Sequence, residues 1–182
     1  MGIWDTVARA FKAKDVQANG EALLSREPSG SPDGPVSPED VMVGCALTSR
    51  DGALHALSAR AVELGIAEDE QALVEAFLQR ENEGTTGMMD GFAIPHAKAS
   101  TIKRRAVLVA KSNSAIASWE TMDGEPVSVI VALLVPEDQA GTDHLRMLAN
   151  MAEALMDSRF RSMLRRSDDP REIAAEVNRH LQ

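Results

Sequence analysis

The chain has 182 residues, 44% of them hydrophobic, and a formal net charge of −9. Aromatic side chains make up only 3%, with no tyrosine, and Cys45 is the only cysteine. A disulfide scaffold is therefore excluded, and so acidic and aromatic-poor a chain lacks the basic face and stacking platforms of a nucleic-acid or carbohydrate binder.

The first element in the chain is amphipathic. Ile3, Val7 and Phe11, with Trp4 and Ala8 beside them, predict a helix over 3–13. Met1 to Thr6 also fits the loose myristoylation pattern, against the plainer reading of that helix. Residues 25–38 collect Ser, Gly, Asp and Pro, which is linker chemistry. The expected organisation is a helix and linker over 1–36, then one domain over 37–182. No apolar run approaches the roughly 20 residues of a membrane span, and no secretory signal core is visible. The expectation is a cytoplasmic protein without direct membrane insertion.

Within the domain, Val41 to Leu47 predicts a buried strand. Asp51 to Leu64 predicts a helix ended by Gly65, and Glu68 to Asn82 a second, with Leu73, Phe77 and Leu78 inward. Gly84 to Gly91 reads as a loop. Phe92 to Ile94 reads as extended, because a residue before proline is pushed out of the helical region. Ala106 to Ala110 and Ile116 to Trp119 are expected as two strands, Asp123-Gly124 as a turn, and Val127 to Val135 as the central strand. Thr142 is expected to cap a helix carrying Leu145, Leu148, Ala149, Ala152, Leu155 and Met156 on its buried stripe. Shorter helices follow near 158–165 and 170–181, the last opened by Asp169-Pro170. Strands alternating with helices predict a three-layer α/β/α fold, a mixed sheet of about five strands with helices on both faces.

The motifs of nucleotide-dependent kinases, dinucleotide enzymes and serine hydrolases are absent from the sequence. Two histidines stand in unusual places. His96 follows a short extended segment and a proline, and strand ends are where open α/β sheets meet ligands. His144 falls in the first turn of a predicted helix, where unpaired N–H groups suit an anion. Taken singly, each is also compatible with a surface or core histidine. Arg80 is the only basic residue between Arg60 and Lys98, within residues 37–100, which hold 11 acidic and 4 basic side chains. An ion pair with Glu83 is its plain alternative. His55, His180 and Cys45 read as structural or surface residues, and Met147, Met151 and Met156 as core or flank.

Gly84-Thr85-Thr86-Gly87-Met88-Met89-Asp90-Gly91-Phe92-Ala93-Ile94-Pro95-His96-Ala97-Lys98 resembles the active-site stretch of the fructose/mannitol-type enzyme IIA domains of the bacterial phosphoenolpyruvate-dependent sugar phosphotransferase system. Asp143 to Ala149 resembles that family's second histidine segment, and Leu78-Gln79-Arg80-Glu81 the helix end that bears its arginine. The resemblance spans roughly 38–180. Met89 departs from it, standing where members often have glycine, and so does Ala97-Lys98, a variant of the fructose-type members.

The resemblance implies a phosphohistidine carrier. His96 would hold the phosphoryl group, His144 would support it, Arg80 would stand beside it, and Lys98 would be a weaker contact. HPr would donate, and an enzyme IIB domain would accept during sugar uptake, with a membrane-embedded IIC reached only through IIB. No nucleotide, metal or other cofactor is implied. Imidazole chemistry agrees, since a neutral ring nitrogen is nucleophilic near pH 7 and phosphoryl transfer asks mainly for positioning and charge stabilisation. Two alternatives stay open: a regulatory IIA protein of the nitrogen branch, acting by protein binding, and a IIA-like interaction module without phosphotransfer. The acidic middle segment suggests basic protein partners.

Overall fold

The computed structural model describes residues 35–139 and 141–181. The helix expected over 3–13, and most of the linker, lie outside the described residues. After a 3₁₀ turn at Pro38–Asp40, the elements are β1 (Val41–Cys45), α1 (Arg50–Glu63), α2 (Glu70–Asn82), β2 (Phe92–Ala93), β3 (His96–Ala99), β4 (Ala106–Ile116), β5 (Val127–Pro136), α3 (Thr142–Met156), α4 (Ser158–Arg166) and α5 (Pro170–Leu181).

The five strands form one mixed sheet in the order β1-β4-β5, with β2 and β3 following one another along the free edge of β5. β1 is parallel to β4, β4 antiparallel to β5, and both β2 and β3 run parallel to β5. Pro95 divides the edge into two pieces. It has no N–H to give, so such a residue is tolerated only at an edge; its carbonyl still accepts from Leu133 at 3.0 Å.

Helices cover both faces, as expected. Ala106, Leu108 and Ala110 of β4, with Ile130, Ala132 and Leu134 of β5, pack with α1 and α2. The alternate residues, Val107, Val109, Val129, Val131 and Leu133, pack with α3, α4 and α5. A strand buried on both sides reads in sequence as a continuous apolar run, which is why β5 was legible and its two faces were not.

Three expectations need correction. Residues 106–116 form a single strand, not two, and Trp119 lies in the turn beyond it, buried against the α1–α2 face. The polar stretch Ser112 to Ser114 interrupts the apolar pattern without interrupting the backbone, because its residues bond to the β1 end, Ser112 Oγ donating to Leu47 O and Asn113 Nδ2 to Gly44 O, each at 3.0 Å. The N-cap of α3 is Gly141, not Thr142, and no side chain caps it. The buried stripe of α3 is also rotated: Met151, Ala154 and Leu155 are buried, whereas Leu145 and Met156 are exposed. Alanines at 149, 152 and 154 left the periodicity able to fit either face.

Candidate functional site

The site gathers at the β3 edge. His96 opens β3 and pairs in register with Leu133 of β5. Paired residues share a sheet face, so His96 projects toward the α3 side, where the first turn of α3 carries His144. It is thus the first residue of a strand not expected from the sequence after Pro95. α2 packs along β3, and its last turn carries Arg80.

Arg80 and His96 are in direct contact. Arg80 Nε donates to His96 Nε2 at 2.8 Å, and Arg80 Nη1 donates to Gly84 O at 2.9 Å. The alternative of an Arg80–Glu83 ion pair is not formed; Arg80 points at the ring. On its other side, His96 Nδ1 lies 3.1 Å from Ile94 O. Nε2 accepts a hydrogen bond, so the ring's one proton sits on Nδ1 and is donated to that carbonyl. Burial, the Arg80 charge and the nearby His144 together hold the His96 pKa at about 4, although the Ile94 carbonyl opposes them. His96 is therefore neutral near pH 7, with its lone pair on Nε2.

His144 is held differently. Its backbone N–H bonds to Gly141 O at 3.2 Å. Its Nδ1 is buried and meets no hydrogen-bond partner among the described residues. Burial, then Lys98, then Arg105 push its pKa below the ordinary histidine range. Lys98 is exposed on β3. Arg105, from the turn before β4, has no local sequence signal; only the fold brings its charge to His144.

The loop over 84–91 is built from specific contacts. Thr85 Oγ1 donates to Glu120 O at 2.5 Å and accepts from Gly87 N at 3.0 Å. A Cβ on Gly87 would stand 2.0 Å from Glu120 O, so only glycine fits there. Asp90 adopts φ +57° and is held by an ion pair with Arg161, whose Nε donates to Asp90 Oδ2 at 2.7 Å. Met89, where glycine is frequent in the resembling family, does not have positive φ. Its carbonyl accepts from Phe92 N at 3.2 Å, so a side chain is accommodated.

The residues set aside as structural stay remote from this cluster. His180 packs against Phe160 in a tilted arrangement, with ring centroids 4.6 Å apart. His55 is exposed on α1. Cys45 is half-buried against the α1–α2 core, and burial raises its thiol pKa, which keeps the reactive thiolate scarce. No helix among the described residues is long and apolar enough to cross a membrane.

Residues 36–180 match the family model described as "Phosphoenolpyruvate-dependent sugar phosphotransferase system, EIIA 2". A nitrogen regulatory protein of Bradyrhizobium diazoefficiens is 40% identical over 138 residues, covering 76% of this chain and 88% of that protein. Among solved structures, the nitrogen regulatory protein IIA-Ntr of Neisseria meningitidis superposes with a TM-score of 0.72 at 24% identity, over 79% of this chain and 96% of its own. The Escherichia coli mannitol enzyme IIA, in its complex with phosphorylated enzyme IIB, has a TM-score of 0.64 at 16% identity, over 78% and 96%. At those identities the two structures speak for the fold.

Proposed function

The chain belongs to the EIIA 2 family of the phosphoenolpyruvate-dependent sugar phosphotransferase system, and from that premise we propose that it is a phosphohistidine carrier with His96 Nε2 as the accepting atom. The observation that carries this reading is the pair of contacts on His96, Arg80 Nε–H at Nε2 and Ile94 O at Nδ1. They leave one lone pair of known position on a ring that is neutral at pH 7.

HPr, carrying its own phosphohistidine, is the donor. The Nε2 lone pair attacks phosphorus in line; the new N–P bond forms as the donor's N–P bond breaks, and the departing nitrogen keeps the electron pair. In the resting state the Arg80 Nε–H occupies that lone pair. It must leave Nε2 as phosphorus arrives, and the nearest new acceptor is a phosphoryl oxygen. Arg80 thus screens the nucleophile before transfer and stabilises the equatorial charge during it. The Nδ1 proton stays in place on Ile94 O. His144 supports the phosphoryl group from the uncapped start of α3, where N–H groups and the helix dipole favour an anion, and Lys98 contributes charge from β3.

For the onward step, transfer to an enzyme IIB domain for sugar uptake follows from the family, and a mannitol relative has been solved with phosphorylated IIB. A second reading is regulatory output by protein binding, favoured by the 40% identity to a nitrogen regulatory protein over 88% of its length.

The test is incubation with phosphoenolpyruvate, enzyme I and HPr, followed by intact mass. One added phosphoryl group, absent in His96→Ala, is expected. No gain with a competent HPr overturns the carrier reading in favour of an interaction module. Adding an enzyme IIB separates the branches: loss of label to IIB supports sugar transport, and retention supports the regulatory reading.

A further inference from the structure

Next to Arg80 in the chain is a buried carboxylate that the proposed transfer does not use. Glu81 is 6% exposed, and no cation pairs with it among the described residues. Both its oxygens are taken by one residue: Thr86 N donates to Oε2 at 3.2 Å, and Thr86 Oγ1 donates to Oε1. Thr86 is itself fully buried. Its carbonyl accepts from Ile94 N at 3.0 Å. The Ile94 carbonyl is the group that takes the His96 Nδ1 proton.

These contacts form an unbroken line from the end of α2 to the ring. Burying a carboxylate without a counter-ion is costly, and an apolar side chain would fill the same space without that penalty. What an apolar side chain could not do is hold both donors of Thr86 and so fix the carbonyl that orders Ile94. Glu81 and Arg80 leave the same helical turn; Arg80 meets the Nε2 side of His96 directly, and Glu81 is linked to the Nδ1 side through Thr86 and Ile94.

We infer that Glu81 is a positioning residue for His96: through Thr86 and the Ile94 peptide it holds the Nδ1 side of the ring, while the adjacent Arg80 holds the Nε2 side. The end of α2 is thereby one rigid grip on the imidazole, and its purpose rests on the carrier reading above. Glu81 touches neither the ring nor the phosphoryl group.

The test uses the full chain with ¹⁵N-labelled histidine. Two quantities are read: the NMR signal of the proton on His96 Nδ1, and the initial rate of phosphoryl acceptance from phosphorylated HPr. In the wild type the Nδ1 proton is expected as a distinct signal protected from exchange with water. Glu81→Ala should lose that protection and accept phosphoryl about 10- to 100-fold more slowly, the scale of a ring misplaced by about 1 Å. Glu81→Gln should restore both, because an amide oxygen can take Thr86 N–H while its NH₂ donates to Thr86 Oγ1. Thr86→Val should behave like the alanine variant and Thr86→Ser like the wild type, and this pair decides the matter if Glu81→Ala does not fold. A general loss of stability would lower Tm without moving the Nδ1 signal of the folded protein. Folded Glu81→Ala, or Thr86→Val in its place, with an unchanged Nδ1 signal and a rate within about twofold of wild type overturns the inference. A wild-type chain that accepts no phosphoryl group overturns the carrier reading instead, and the Nδ1 signal still decides whether Glu81 positions the ring.

Discussion

The two histidines of the site are held in opposite ways. His96 has both ring nitrogens engaged, by Arg80 at 2.8 Å and by Ile94 O at 3.1 Å. His144 has a buried Nδ1 that meets no partner among the described residues, on a helix whose N-cap, Gly141, gives no side-chain bond. In the proposed roles, the nucleophile presents one lone pair in one direction, which the two contacts on His96 fix. The supporting group must bond what arrives, and His144 Nδ1 has no bond among the described residues to give up. The difference is one of preorganisation against reserve.

That comparison can be broken by substitution. His96→Ala should abolish phosphoryl acceptance, seen as no mass gain, since no second residue offers the same lone pair. Arg80→Ala should slow acceptance by about 100-fold, the loss of one preorganised donor at developing charge. Arg80→Lys should recover only part of it, because an ammonium lacks the fork that serves Nε2 and Gly84 O together; full recovery by lysine would reduce Arg80 to a plain charge. His144→Ala should be milder, about tenfold in rate, with labelling of His96 retained and its Nδ1 proton signal unchanged. Equal losses for His144→Ala and Arg80→Ala would erase the distinction.

Two smaller effects sharpen it. Gly87→Ala should destabilise the fold by about 1–3 kcal/mol by overpacking against Glu120 O, read as a lower denaturation midpoint. The His96 ring should titrate near pH 4 in the native protein and near 6.5 when unfolded. Its folded pKa is depressed, so the unfolded chain takes up a proton first as pH falls. The corresponding stability is present above about pH 6.5 and is lost between there and about pH 4. A native midpoint at 6.5, followed by NMR, would remove the claim that His96 is kept neutral.

Much of this was legible beforehand, for physical reasons tied to particular residues. Gly65 ends α1 in the left-handed conformation, φ +65°, and Pro170 opens α5; both signals are local and act the same way in any context. β5 stood out because it is buried on both faces. The α3 face was misjudged because small residues made two stripes equally plausible, and the layer packed above the sheet chose between them. The continuity of β4 through Ser112–Ser114 rested on bonds to residues more than 60 positions away, which no local pattern carries. The proposed site residues His96, His144, Arg80 and Lys98 rest on a motif. Glu81 and Thr86 were quoted within that motif, yet nothing in it marked them as partners.

Taken alone, the sequence carried the fold class, the helices of the domain and the histidine after Pro95, because periodicity, glycine, proline and a short motif are properties of neighbouring residues. It also made the middle of the chain look uniformly acidic. Only the tertiary structure decided that Arg80, Lys98 and Arg105 act on two histidines in the midst of that acidity. It also decided which ring nitrogen of His96 carries the lone pair and which the proton. Both depend on distances between groups from different elements, and such distances exist only once α2, β3 and α3 have closed on the sheet edge.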